Sequence, residues 1–329
     1  MKILYSGFLM RVREKMARVR RRCDPFYKAK WARIRREQIA ANAPYENGEE
    51  GYWHPAVMGL EETMEYITGH RASIARFGDG EMALVCGREM LFEPANELIQ
   101  ARLVKVLQDP SPDCLVAIPD IFGSLSAYKE RDHAFWREVA LWSRERMYAA
   151  MNEGYKTSPP RLLLGNPYIS RPYMNLADPS AAQNVFGAWK ALFDSKNILI
   201  VEGRFSRFGI GNDLLDGAKS IRRIWCPPRF AFARYDEIHS VVKHEAKQDD
   251  LVILALGATA TILAYDLSKE GYWAIDTGHL DVEYMWMKMG ATEKVAIPGR
   301  YVSEVTGAQE QKPEDGEERR YNVVAKIGC

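Results

Sequence analysis

LVILALGATATILAYDLSKEGYWAID, residues 251–276, decides the fold class. An apolar run turns at Gly257, passes into a helical pattern that stops at Gly271, and resumes as a second apolar run ending at Asp276. Two strands apolar on both faces, joined by a helix, make the βαβ unit of a parallel sheet. Outward from it the alternation repeats. Apolar runs at 73–77 (SIARF), 114–119 (CLVAIP), 161–165 (RLLLG), 197–203 (NILIVEG), 221–227 (IRRIWCP) and 294–298 (KVAIP) are interleaved with helical patterns over 59–68, 95–107, 133–153 and 181–194. The order predicts an α/β fold: a Rossmann-like, mainly parallel sheet with helices on both faces.

The 329 residues, 47% apolar, suffice for one large core. Three stretches are expected: a basic helical or disordered extension over 1–50, one folded domain over 51–305, and a polar tail over 306–329. The turn-rich ANAPYENGEEGYWHP, 41–55, reads as the linker between the first two. Leu251–Ala264, the longest nearly apolar stretch, is too short for the roughly 20 residues of a spanning helix. The first residues turn basic with no small-residue cleavage site, which argues against a secretory signal. Five scattered cysteines with no C-x-x-C pair argue for reduced thiols, a cytoplasmic setting and no zinc site.

Charge is unevenly placed. Residues 1–38 hold thirteen Lys/Arg against three Asp/Glu, while the whole chain has a net charge of only +1. Runs at Arg18–Arg22 and Arg33–Arg36, interleaved with Leu9, Met16, Trp31 and Ile34, suit an amphipathic basic helix at an anionic inner membrane face; a solvated arm is the competing reading. The acidic remainder and the lack of a recognised module exclude nucleic acid as the expected partner.

Chemistry-bearing residues gather after the apolar runs, where parallel sheets bind ligands. Arg76-Phe77-Gly78-Asp79-Gly80-Glu81 puts two carboxylates at i and i+2; in extended backbone both would face one hard cation, and an ordinary acidic turn is the alternative. Glu202, Arg204 and Arg207 lead into the flexible Gly209-Ile210-Gly211-Asn212-Asp213, which suits a phosphate or a sugar ring, or else an N-cap beside solvated arginines. Arg171 follows another run. Gly257 and Thr259 open the helix of the βαβ unit, whose N–H groups favour a phosphate, although the G-x-G-x-x-G fingerprint is missing. His279, Asp281 and Glu283 follow Asp276 and exceed what helix capping needs.

Taken together, RFGDGE (76–81), ISRPYM (169–174), residues 201–228, YDEI (235–238), LGATATILAYDL (256–267) and IDTGHLDVEY (275–284) resemble the GT-D type glycosyltransferases in order and spacing over most of 57–300. The resemblance implies a nucleoside-diphosphate sugar donor such as UDP-glucose, a glycan acceptor and a divalent metal, Mn²⁺ or Mg²⁺, held through a D-x-E motif. That motif matches Asp79 and Glu81, while Asp281 and Glu283 form a second D-x-E, so the division of roles between the two stays open. On this reading Arg76, Arg171, Glu202, Arg207, Gly209, Gly211, Asn212, Asp213, Gly257 and Thr259 contact the donor, and His279, Asp281 or Glu283 serves the acceptor hydroxyl. Two rivals remain: another Rossmann-type nucleotide enzyme, such as a methyltransferase or dehydrogenase, and a non-catalytic scaffold that binds glycan or membrane.

Overall fold

The computed structural model describes residues 25–89, 93–178, 180–300, 302, 305, 319 and 321–328. The basic run Arg18–Arg22 and most of the polar tail lie outside the described residues. In chain order the strands are β1 (Ser73–Arg76), β2 (Cys114–Ala117), β3 (Asn197–Gly203), β4 (Ser220–Cys226), β5 (Asp250–Ala255), β6 (Trp273–Asp276) and β7 (Val323–Lys326). They form one sheet in the order β2-β1-β6-β5-β3-β4-β7. Every pairing is parallel, with Leu199 opposite Arg222 and Val252, and Leu254 opposite Asp276.

Nine helices among the described residues cover the sheet: α1 (Pro25–Glu46), α2 (Leu60–Gly69), α3 (Asp79–Val85), α4 (Glu97–Gln108), α5 (Glu130–Ala150), α6 (Ser180–Phe193), α7 (Tyr235–Glu245), α8 (Ala258–Lys269) and α9 (Leu280–Lys288). The period-two geometry of a strand divides the apolar residues between two cores. Ile74, Ile198, Ile200, Ile253 and Ile275 pack with Ile67, Phe186, Trp189 and Tyr284 of α2, α6 and α9. Their neighbours Ala75, Leu199, Val201, Val252 and Leu254 pack with Leu103, Met147, Ile238 and Ile262 of α4, α5, α7 and α8. Apolar residues on both faces are therefore what the topology requires. No helix among the described residues is long and apolar enough to cross a membrane.

Four features differ from the expectations. The apolar run at 161–165 makes only isolated bridges, at Leu164 and Gly165. KVAIP is no strand: Val295 and Ile297 instead close a small cluster around Trp286 and Met174. The end of the polar tail forms β7 on the sheet edge, with a half-buried, exposed alternation. The expected linker is helical through Glu46, because Asn42, Tyr45 and Glu46 dock α1 on α5.

Candidate functional site

The carboxyl ends of β1, β6, β5 and β3 are neighbours, so the segments after Arg76, Asp276, Ala255 and Gly203 converge at one edge. At its centre Arg76 and Asp276 form a buried ion pair, Nη1 to Oδ1 3.4 Å, and Arg76 Nε donates to Pro167 O at 3.1 Å. Thr261, one turn into α8, donates to Arg76 O at 2.8 Å and lies 3.2 Å from Asp276 Oδ2. Gly278 has φ +47°, and a Cβ there would run into Arg76 Nη1, so only glycine lets the chain leave β6 over the guanidinium. Arg76 thus neutralises an acid and positions the turn.

Asp79 and Glu81 do not lie on extended backbone. Gly78 is an N-cap, and the two acids occupy the first and third positions of α3, about 200° apart around the helix. Glu81 folds back to accept from Gly78 N at 2.8 Å, while Asp79 is exposed. Burial, reinforced by the Asp276 charge, pushes the Glu81 carboxyl up to about 7. Among the described residues no group of three or more His, Cys, Asp or Glu is placed to hold a metal ion. A hard cation that keeps waters and takes most of its ligands from phosphates needs only one or two carboxylates, which Asp79 and the second oxygen of Glu81 fit.

The loop after β3 is held by three acids. Glu202 is fully buried; its Oε1 accepts from Arg223 Nη1 at 2.6 Å and its Oε2 from Phe208 N at 2.8 Å. Asp281 accepts from Gly209 N at 2.8 Å and Asn212 Nδ2 at 2.7 Å, and pairs with Arg300. Asp213 takes Lys190 Nζ at 2.7 Å and Tyr284 OH at 2.9 Å, which hold its carboxyl below the usual range. Positive φ at Arg207, Gly209 and Gly211 completes the turn, and Arg207 Nη1 donates to Gly299 O at 2.7 Å. Glu283, also fully buried, accepts from Tyr173 N and Met174 N at 3.1 and 2.8 Å, with Arg171 Nε 3.8 Å away. Glu202, Asp281 and Glu283 therefore direct their oxygens into the frame around the site.

His279 is half-buried at the N-cap position of α9. Gly257 is exposed at the N-cap of α8 with open space beside its Cα, whereas Thr259 is fully buried. Three groups escaped sequence reasoning. Tyr168 lies near enough to Asp79 and Arg171 for both charges to act on its phenol. Asp120, beyond β2, is half-buried and raised by that burial against the pull of His54. Glu93, 5% exposed, accepts from Phe232 N at 3.3 Å, and burial pushes it up to about 7 against the pull of that N–H and the Thr259 hydroxyl. Their signal is tertiary: each is a single residue outside any spaced motif.

Residues 74–305 match the family model described as the glycosyltransferase GT-D fold. The chain is 34% identical over 274 residues to a probable glycosyl transferase Gly of Streptococcus gordonii, covering 83% of this chain and 39% of that protein. It is likewise 34% identical over 272 residues to the glycosyltransferase GlyD of Streptococcus pneumoniae serotype 4, covering 82% of this chain and 32% of the relative. The chain thus spans between about a third and two fifths of these relatives. A solved structure described as the domain of unknown function 1792 with a distinct glycosyltransferase fold aligns at TM-score 0.75 and 35% identity, covering 88% of this chain and all of that one. Another, a glycosyltransferase of the same domain type from Streptococcus sanguinis, aligns at TM-score 0.76 and 34% identity over 84% of this chain and 100% of its own.

Proposed function

The chain belongs to the GT-D glycosyltransferase family, and from that premise we propose that it transfers a hexose, glucose first among the candidates, from a nucleoside-diphosphate sugar such as UDP-glucose to a glycan acceptor of a glycoprotein or surface polysaccharide. The observation that carries the reading is the convergence of the Asp79–Glu81 turn, the amino end of α8 and the acid-anchored loop 204–213 at one sheet edge.

Asp79 and Glu81 would hold Mn²⁺ or Mg²⁺, which supplies charge neutralisation to the leaving diphosphate. The first-turn N–H groups of α8 beyond Gly257, with Arg207 and the amide of Gly211, orient the phosphates and the sugar. Arg76 keeps Asp276 paired, so that the turn bearing Asp79 faces one fewer free negative charge. Asp281, Glu202 and Glu283 hold that geometry, and Arg171 and His279 border it. The exposed basic residues of α1, Lys28, Lys30, Arg33, Arg35 and Arg36, spread around its first turns, suit contact with an anionic membrane face from the cytoplasm.

Nucleotide release from UDP-glucose and from other nucleotide sugars, followed with and without Mn²⁺, tests this reading. UDP release is expected, at least tenfold slower in EDTA, with Asp79→Asn weakening donor binding at an unchanged melting temperature. Full turnover in EDTA removes the metal from the reaction. Release from no nucleotide sugar overturns the donor assignment.

A further inference from the structure

A cleft of about 580 Å³ opens between the amino end of α4 and the turn after β4. Its lining includes Glu93, Asn96 and Leu98 from around the start of α4, and Phe230 and Arg234 from the turn after β4. Phe230 is 51% exposed and sits in the left-handed region at φ +56°, a conformation a bulky side chain adopts only under constraint from its surroundings. Packing alone does not explain a strained aromatic turned toward water. An aromatic face above polar groups is the surface that fits a sugar ring, whose C–H face is apolar and whose rim is hydroxylated.

Glu93 connects this cleft with the edge already described. Its carboxylate lies near the buried Thr259 hydroxyl in the first turn of α8, just beyond Gly257, with no hydrogen bond between the two. Thr261, two residues on, bonds Arg76 and Asp276. The same helical turn thus has Glu93 on one flank and the Arg76–Asp276 pair, with Glu81 beside it, on the other. Of the remaining acids around the edge, Glu202, Asp281 and Glu283 are anchors, Asp276 is ion-paired, Asp79 and Glu81 face the proposed metal, and Asp120 faces His54 beyond β2. The charged groups that share the cleft are paired among themselves: Arg102 with Asp266, which also accepts from Tyr235, and Arg234 with Glu237 at 2.9 Å; Asp236 lines its outer part.

We propose that Glu93 is the general base that takes the proton of the acceptor hydroxyl, and that the cleft beneath Phe230 is the subsite for a saccharide acceptor. The inference rests on the glycosyl transfer proposed above. As the acceptor oxygen forms its bond to the anomeric carbon, its proton passes to the Glu93 carboxylate. The bond from that carbon to the diphosphate breaks, and the nucleoside diphosphate leaves with the electron pair. A carboxyl held near 7 is matched to this duty, since about half of it is ionised at neutral pH while it stays basic enough to accept.

The full chain, UDP-glucose and Mn²⁺ test it, with water and p-nitrophenyl β-D-glucoside as acceptors and UDP release as the readout. Wild-type kcat should rise with pH to a plateau with its break near 7. Glu93→Gln should lower kcat by on the order of 10²-fold or more and lose that break, while UDP affinity and the melting curve survive. Phe230→Ala should raise KM for the glucoside at least fivefold without changing KM for UDP-glucose. Glu93→Gln turnover within threefold of wild type overturns the base, and so does a parallel loss of UDP affinity or cooperative melting, which marks a structural role. UDP release indifferent to the glucoside, or an unchanged glucoside KM in Phe230→Ala, overturns the subsite. A wild type that neither binds UDP nor releases it overturns the donor assignment instead.

Discussion

At the scale of single residues, the carboxylates of this edge differ by what already holds them. Arg76 and Asp276 are a pair whose value lies in leaving neither charge alone; removing one partner of a buried pair typically costs about 3–5 kcal/mol, far more than the pair gains over apolar packing. Gly278 guards that pair. In Gly278→Ala the new Cβ meets Arg76 Nη1, and the guanidinium cannot swing aside without leaving both Asp276 and Pro167 O. Adding the left-handed backbone penalty of about 1–2 kcal/mol, the substitution should destabilise by roughly 2–4 kcal/mol. Urea unfolding measures it, and a loss below about 0.5 kcal/mol would show that Arg76 has room to move. The spacing of Asp79 and Glu81 was legible as acidic but misjudged in geometry, because the Gly78 N-cap turns i and i+2 onto different sides of a helix. Glu93 was not legible at all: its meaning comes from Phe232 and Thr259, more than a hundred residues away.

At the scale of elements, α9 and the loop after β3 behave as one unit because Asp281, in the first turn of the helix, holds Gly209 N and Asn212 Nδ2 while pairing with Arg300. This separates two roles for the same acid. As an anchor, Asp281→Asn leaves Arg300 buried without its counter-charge, and should destabilise by about 3 kcal/mol and speed amide exchange at Gly209 by at least tenfold. As an acceptor base it would lose turnover at unchanged stability and exchange. The anchoring outcome is expected from the burial of Asp281 at 3% exposure. Central elements were readable for a related reason: NILIVEG and the 251–276 unit are apolar on both faces, a pattern that central parallel strands produce. KVAIP imitates that pattern but answers to Trp286 rather than to the sheet. Edge strand β7 escapes it, since Val324 and Lys326 face water and the segment looks like tail.

At the scale of the whole molecule, the basic extension and the folded domain meet inside α1 rather than at the expected linker. Arg137 of α5 grips Glu46 with both guanidinium arms at 2.7 and 2.8 Å; Arg144 donates to Asn42 at 2.7 Å and lies 3.6 Å from the centre of the Tyr45 ring. Asn42 is 2% exposed and returns a bond to Arg137 O at 3.2 Å. Upstream, residues 28–33 are exposed throughout, so the grip is confined to the last turns of the helix. Truncation should therefore have a threshold. Removing residues 1–24 takes away charge but no docking contact of α1, and the melting temperature should hold within about 1 °C. Removing residues 1–46 strips the partners of Arg137 and Arg144, two partly buried cations, at a cost of about 1–3 kcal/mol. Taking roughly 2–4 °C per kcal/mol for a domain of this size, the melting temperature should fall by several degrees. Sedimentation with anionic vesicles separates the second function of the segment. It should weaken already in the shorter truncation, which removes the first of the two arginine runs, and depend less steeply on salt as the charge count falls. Equal melting temperatures for the two truncations would mean that α1 is an appendage and that the domain starts after residue 50, as the charge and turn pattern alone suggest.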